Sequence, residues 1–149
     1  SIVHIDCSNV DTSQIFSRCS SAWLSDSKID TMKNLENAKN LESLGIVNCE
    51  VDSLVWIVNV KDLTLDYNQY TCDIELLSQI TSETLEFGTD RIEEFYALGE
   101  NDYVKYLYLY GDGAPTTVED FALLKKWDNL EELFINGDEI DLTTMTVIE

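Results

Sequence analysis

Basic residues are scarce in this sequence of 149 residues. Nine Lys and Arg stand against 29 Asp and Glu, which gives a formal charge of −20 at pH 7. A surface this negative repels phosphate backbones and anionic lipid headgroups, whereas it attracts basic proteins over long distances. We therefore expect a basic protein as the partner and no direct binding of nucleic acid.

Long apolar stretches are also missing, because no run approaches the roughly 20 residues that cross a bilayer. None of the ten asparagines lies in an N-x-Ser/Thr sequon. The four cysteines match no C-x-x-C pattern, and a chain of this size can fold without disulfides: Cys7, Cys19, Cys49 and Cys72. These absences predict no membrane insertion, reduced thiols and an intracellular (cytoplasmic) location, while an extracellular location stays open.

Residues typical of catalysis are few. His4 is the only histidine, and a Cys–His nucleophile also needs a third group to orient it. The sequence has no G-x-x-x-x-G-K-[ST] phosphate loop, no H-E-x-x-H and no G-x-S-x-G motif. The acidic stretch from Asp138 to Asp141 lacks the ligand spacing of an EF-hand. We expect neither an enzyme nor a metal or cofactor site.

Aromatic residues are plentiful, with three Trp, seven Tyr and five Phe, so the chain is not a disordered acidic tail. About 150 residues suit one domain and are too few for two. A short apolar motif recurs along the chain, most clearly as Leu41-x-x-Leu44-x-Ile46-x-x-Cys49-x-Val51. Positions equivalent to Ile46 recur at intervals of 19 to 26 residues: Ile5, Leu24, Ile46, Leu65, Phe87, Leu109 and Ile135.

This motif resembles the leucine-rich-repeat family, whose consensus is L-x-x-L-x-L-x-x-N/C-x-L. The resemblance implies an α/β solenoid with a short parallel concave sheet and with helices or irregular segments on the convex side. It implies a single domain over residues 1–149 with about seven repeats. Neither end resembles a capping repeat, which suggests an excerpt of a longer protein or irregular end repeats that act as caps.

Small or polar residues stand three positions after each equivalent of Ile46, where the chain should turn off its strand. Side chains of this kind satisfy backbone groups at such a turn. A preference of any turn for Asn, Asp and Ser is the alternative explanation. The position is occupied by Ser8, Ser27, Cys49, Asn68, Asp90, Asp112 and Asp138.

Three segments between the predicted strands have helical character. Asp52 to Val58 and Asp73 to Ile80 each begin with Asp, a favourable N-cap residue, and both contain closely spaced apolar residues. Residues 117–127 carry an apolar stripe and are preceded by a predicted capping box from Thr116 to Glu119. We predict short helices in all three segments.

Strand residues that alternate with the core positions are expected on the concave face. Three tyrosines on one predicted strand face this way, between Glu86 and Phe134 on the neighbouring strands, and exposed aromatic rings are enriched in binding hot spots. The predicted partner-binding residues are Tyr106, Tyr108, Tyr110, Phe134, Glu86, Glu132, Asp66 and Trp23. Cross-strand aromatic pairing that only stiffens the sheet is the alternative.

Negative charge is concentrated in the same half of the chain. Residues 1–74 contain 11 acids and five bases, whereas residues 75–149 contain 18 acids and four bases. We therefore predict a non-enzymatic protein–protein interaction module, or adaptor, that binds a basic protein through an acidic, aromatic concave face. An acidic inhibitor or immunity-type protein that occludes a basic enzyme such as a nuclease is the alternative, and an extracellular receptor ectodomain is a third possibility.

Overall fold

The computed structural model describes residues 2–5, 19–29 and 38–145. Numbered in chain order, the strands of the main sheet are β1 (Ile2–Ile5), β2 (Ser21–Ser25), β4 (Ser43–Val47), β6 (Asp62–Asp66), β8 (Thr84–Gly88), β9 (Tyr106–Tyr110), β10 (Glu132–Ile135) and β11 (Asp138–Ile140). They lie in the order β1-β2-β4-β6-β8-β9-β10-β11, and all neighbours are parallel except β11, which runs antiparallel to β10. The predicted α/β fold with a mostly parallel sheet is confirmed, and this sheet does not close into a barrel.

Three two-residue strands form a second, parallel sheet in the order β3-β5-β7. They are β3 (Lys28–Ile29), β5 (Glu50–Val51) and β7 (Gln69–Tyr70), and each follows a strand of the main sheet after a short turn. The turn residues Asp26, Asn48 and Tyr67 all have a positive φ angle, between 53° and 54°. The same tight change of direction therefore follows β2, β4 and β6.

The helices of the described residues are short. They are α1 (Ile92–Ala97), α2 (Val118–Leu124), α3 (Leu142–Met145) and a 3-10 helix at Ile74–Gln79. None of them has the length and apolar character that crossing a bilayer requires.

The pairing of the seven parallel strands aligns the residues that recur in the sequence. Leu24 pairs with Ile46, and the series continues through Leu65, Phe87 and Leu109 to Ile135. The residues two positions earlier pair in the same way: Ala22, Leu44, Leu63, Leu85, Leu107 and Leu133. Equivalent residues therefore lie side by side, as their spacing predicted.

These paired rows form the centre of the hydrophobic core. Leu44, Leu63, Leu85 and Leu107 are at most 1% exposed, and Leu133 is fully buried. Every second residue of β6 and β9 is buried, because successive side chains of a strand point to opposite faces. The residues between them form the other face of the sheet, which we call the open face. The middle row of the open face is Trp23, Gly45, Thr64, Glu86, Tyr108 and Phe134. The open face also includes the residues two positions before and two positions after these on each strand.

The predicted helix from Asp52 to Val58 is wrong. Hydrogen-bonded turns replace it, with the N–H groups of Ile57 and Val58 both bonded to the Leu54 carbonyl. The stretch Val55-Trp56-Ile57-Val58 is β-branched and aromatic, which disfavours a helix. Leu54 and Ile57 still enter the core with no exposed surface.

The other two helical predictions are confirmed with changes. Asp73 caps its segment as predicted and accepts a hydrogen bond from the Glu75 N–H at 2.9 Å, but the helix is a 3-10 helix. In the last segment α2 ends at Leu124, and its capping box joins Thr117 to Asp120 instead of Thr116 to Glu119.

The small or polar residues after each strand fall into two groups. The Asn68 side chain is buried, and it donates to the Ile46 carbonyl and accepts from the Cys49 N–H, both at 2.9 Å. The Cys49 thiol donates to the Val47 carbonyl at 3.3 Å. Asp90, Asp112 and Asp138 are exposed at the equivalent turns.

Cys7 and Ser8 lie outside the described residues, so the thiol state of the whole chain stays a prediction.

Candidate functional site

The aromatic patch consists of Tyr106, Tyr108, Tyr110 and Phe134 on the open face. The three tyrosines face this side because they alternate along β9 with the buried Leu107 and Leu109. Strand pairing places Phe134 beside Tyr108, and the two rings stack with centroids 5.0 Å apart and an interplanar angle of 9°. All four side chains are half-buried.

Carboxylates border the aromatic patch on two sides. Glu86 pairs in register with Tyr108 from β8, and the exposed Glu132 pairs with Tyr106 from β10. A hydrogen bond to Glu131, together with the charge of that residue, raises the pKa of the Tyr106 phenol. Burial raises the pKa of Tyr110, and the negative charge of Glu86 adds to it. The patch therefore lies in a negative electrostatic field.

Asp66, Gly88 and Tyr110 lie side by side on the open face, on β6, β8 and β9. Gly88 therefore separates Asp66 from the aromatic patch. The Oδ1 atom of Asp66 is buried and has no hydrogen-bond partner among the described residues. This oxygen lies 2.8 Å from the position that a Cβ atom on Gly88 would occupy, so glycine leaves the space for it. Burial raises the pKa of Asp66 to about 8, and a hydrogen bond to Glu86 with its negative charge contributes in the same direction. Folding therefore favours the protonated form of Asp66.

Trp23 is on the open face but not in the aromatic patch. Its ring lies across Gly45, where an added Cβ atom would meet Trp23 Cε3 at 2.2 Å, and the side chain is 40% exposed. Four strand intervals separate β2 from β9, which corresponds to about 19 Å at the usual spacing. A shallow groove of about 240 Å³ adjoins Trp23, with small polar side chains along it, among them Ser43, Thr64 and Thr84. The eight predicted site residues therefore form one aromatic and acidic cluster plus an isolated tryptophan.

Tyr67 is an exposed aromatic residue that the sequence prediction did not include. It follows β6 directly, and 46% of its surface is exposed. It lines a cleft of about 300 Å³ with Asp90, Arg91 and Glu94. A signal was present in the sequence, since the equivalent turn positions carry Asp26 and Asn48, so an aromatic residue there is exceptional.

No group of three or more His, Cys, Asp and Glu residues is placed to hold a metal ion in the part of the chain that the structure describes. Comparisons with protein-family models, curated proteins and solved structures found no significant match to this chain. The residues of the open face are therefore the basis on which a function is inferred.

Proposed function

We propose that this chain is a non-enzymatic protein–protein interaction module that binds a basic protein through the aromatic patch. The observation that carries the proposal is the stack of Tyr108 on Phe134, with Glu86 beside Tyr108 and Glu132 beside the neighbouring Tyr106. Aromatic rings in a negative field offer apolar contact area, phenol hydroxyls and cation–π sites to Lys and Arg side chains. A net charge of −20 adds attraction at long range.

We also propose that the chain is a leucine-rich-repeat protein with a solenoid form. Two observations support this: the parallel pairing of equivalent residues at each repeat, and the hydrogen bonds of Asn68 to the backbone of the preceding repeat. In a repeat fold, each repeat buries its apolar face against its neighbours. The side chains that alternate with the core then form a continuous surface, which suits a binding role.

A purely structural role of the stacked rings has to be separated from binding. Cross-strand aromatic pairs stabilise sheets by about 0.2–1 kcal/mol whether or not a partner exists. If the rings form a binding centre, a large affinity loss should accompany a small change in stability. The two roles are therefore distinguished by measuring both quantities on the same variants.

The test uses a partner captured on the immobilised wild-type protein, identified by mass spectrometry and then purified. We expect Tyr108→Ala to weaken its binding by about 2 kcal/mol or more, as at central aromatic hot spots. Glu132→Gln should chiefly slow association and flatten its dependence on salt, because Glu132 is exposed at the rim. Affinity and rates would be measured by calorimetry and surface plasmon resonance.

Tyr103→Ala is the matched control, since Tyr103 is 58% exposed and does not belong to the open face. It should leave affinity unchanged. An acidic partner would contradict the proposal. So would a partner whose affinity changes neither with the Tyr108→Ala substitution nor with an increase in salt concentration.

A further inference from the structure

The backbone of Tyr67 is unusual for an aromatic residue. Its φ angle of 54° lies in the left-handed region, which is costly by about 1–2 kcal/mol for a residue with a Cβ atom. The equivalent turns carry Asp26 and Asn48, whose short polar side chains tolerate this conformation, and Gly111 follows β9 with φ 92°. A large aromatic ring therefore occupies a position where Asn or Gly would be less strained.

The Tyr67 ring lies across the ends of the next two strands. A Cβ atom added to Gly88 would meet Tyr67 Cε2 at 3.2 Å, and one added to Gly111 would meet Cε1 at 3.0 Å. The Tyr67 N–H donates to the Gly88 carbonyl at 2.8 Å, which holds the turn against β8. The ring is thus held in place by backbone contacts while 46% of the residue stays exposed.

Several carboxylates lie near this ring. Burial raises the pKa of the Tyr67 phenol, and the negative charges of Asp90, Asp66, Asp112 and Glu86 raise it further. Asp90 and Asp112 are exposed, and the Asp112 N–H donates to Asp90 Oδ1 at 3.2 Å, so the two turns lie together. Neither of these carboxylates forms an ion pair with a described residue. Arg91 lines the same cleft as Tyr67 and Asp90, and it also forms no ion pair with a described residue. The two negative charges of Asp90 and Asp112 exceed the single positive charge of Arg91, so the surroundings of the ring stay negative.

We propose that the Tyr67 ring and the carboxylates of Asp90 and Asp112 form a subsite for one arginine side chain of the basic partner. This inference rests on the proposed function and extends its surface from the aromatic patch to the ends of β8 and β9. Arginine fits better than lysine because its planar guanidinium stacks on an aromatic face and still donates to carboxylates at its edge. Lysine, a strongly hydrated point charge, gains less from the ring.

The test compares binding of polyarginine and polylysine peptides of equal length to the whole chain. The variants are Tyr67→Asn, which removes the ring and suits the left-handed backbone, and Tyr67→Phe, which keeps the ring. Neither substitution changes the net charge, so general electrostatic attraction is the same in all three proteins. We expect Tyr67→Asn to weaken polyarginine binding about fivefold and polylysine binding less, and Tyr67→Phe to restore the arginine affinity.

Thermal unfolding separates binding from packing. Tyr67→Asn should have an unchanged or higher Tm, because backbone strain is relieved. A lower Tm with unchanged polyarginine affinity would overturn the inference. It would show that the Tyr67 ring serves only to pack against Gly88 and Gly111. Equal losses for both peptides would overturn the assignment to arginine.

Two further variants are measured in the same assay. Tyr103 is an exposed tyrosine outside the open face. The Tyr103→Asn variant should therefore bind both peptides as wild type does. If Tyr108→Ala weakens binding while Tyr67→Asn does not, the subsite is wrong and the proposed function stands. If neither peptide binds the wild-type protein, the proposed function itself fails.

Discussion

At the scale of single residues, Asp66 shows how a sheet position changes the chemistry of a carboxyl group. Its folded-state pKa is about 8, far above the 3.8 of an unperturbed Asp, so folding favours its protonated form. Its contribution to stability is therefore complete below about pH 4 and declines as pH rises toward 8. We expect Asp66→Asn, which cannot ionise, to be more stable than wild type at pH 7 and to approach wild type near pH 4. The gain should be about 1 kcal/mol, because solvent screens a partly exposed group.

Chemical denaturation followed by circular dichroism at several pH values checks this prediction. Asp62→Asn is the control, because it replaces a carboxyl group with the same amide on the same strand and the same face. A similar pH-dependent gain in Asp62→Asn would attribute the effect to net charge and not to the site of Asp66. No gain in Asp66→Asn at pH 7 would refute the prediction.

At the scale of elements, α2 depends on its first turn. Asp120 Oδ2 accepts from the N–H groups of Thr116 and Thr117 at 2.9 and 3.0 Å, and the Thr117 hydroxyl accepts from the Asp120 N–H. The Tyr96 hydroxyl donates to the other carboxylate oxygen and so joins α1 to α2. Burial opposes ionisation, but these hydrogen bonds prevail and lower the pKa of Asp120 to about 2. One carboxylate thus caps a helix and links it to its neighbour.

We expect Asp120→Ala to lower the free energy of unfolding by about 1–2 kcal/mol at pH 7, since the capping interaction is lost. Because the folded-state pKa is lowered, the difference from wild type should be full above about pH 4 and disappear as pH falls through 2. Urea denaturation monitored by circular dichroism measures it. The exposed neighbour Glu119 serves as control: Glu119→Ala should stay within about 0.5 kcal/mol of wild type. Equal effects of the two substitutions would show that helix-terminal charge alone is responsible.

At the scale of the whole molecule, the core is a series of paired leucines that passes through every central strand. Leu107 is fully buried and pairs with Leu85 on one side and Leu133 on the other. Leu107→Ala should therefore destabilise the protein by about 2–5 kcal/mol through lost burial and the cavity left behind. Val118→Ala, at a side chain that is 60% exposed, is the control and should be nearly neutral. Guanidinium denaturation decides, and a loss at Leu107 no larger than that at Val118 would contradict this account of the core.

The strand register and the facing of the tyrosines could be predicted because both depend on local periodicity. Leu63 and Leu65 alternate with Thr64, and the same alternation recurs at intervals of 19 to 26 residues, so pairing neighbouring repeats aligns like residues. Tyr108 therefore had to face away from the core, with Glu86 and Phe134 beside it. The antiparallel β11 was not predicted, because its pairing with β10 is a contact between two segments. The turns at residues 55–59 were missed although the local sequence disfavours a helix there.

The order of the strands, the leucine core and the acidic, aromatic character of the open face followed from the amino-acid sequence, since periodicity and charge are properties of neighbouring residues. The raised pKa of Asp66 and the position of the Tyr67 ring were decided only by the tertiary structure. Both side chains lie against Gly88, which is 22 residues after Asp66 in the chain and beside it in the sheet. The missing side chain of this glycine leaves room for the Asp66 carboxyl group and for the edge of the Tyr67 ring. Burial and electrostatic coupling are set by atoms that meet across strands, and sequence periodicity alone does not specify those contacts.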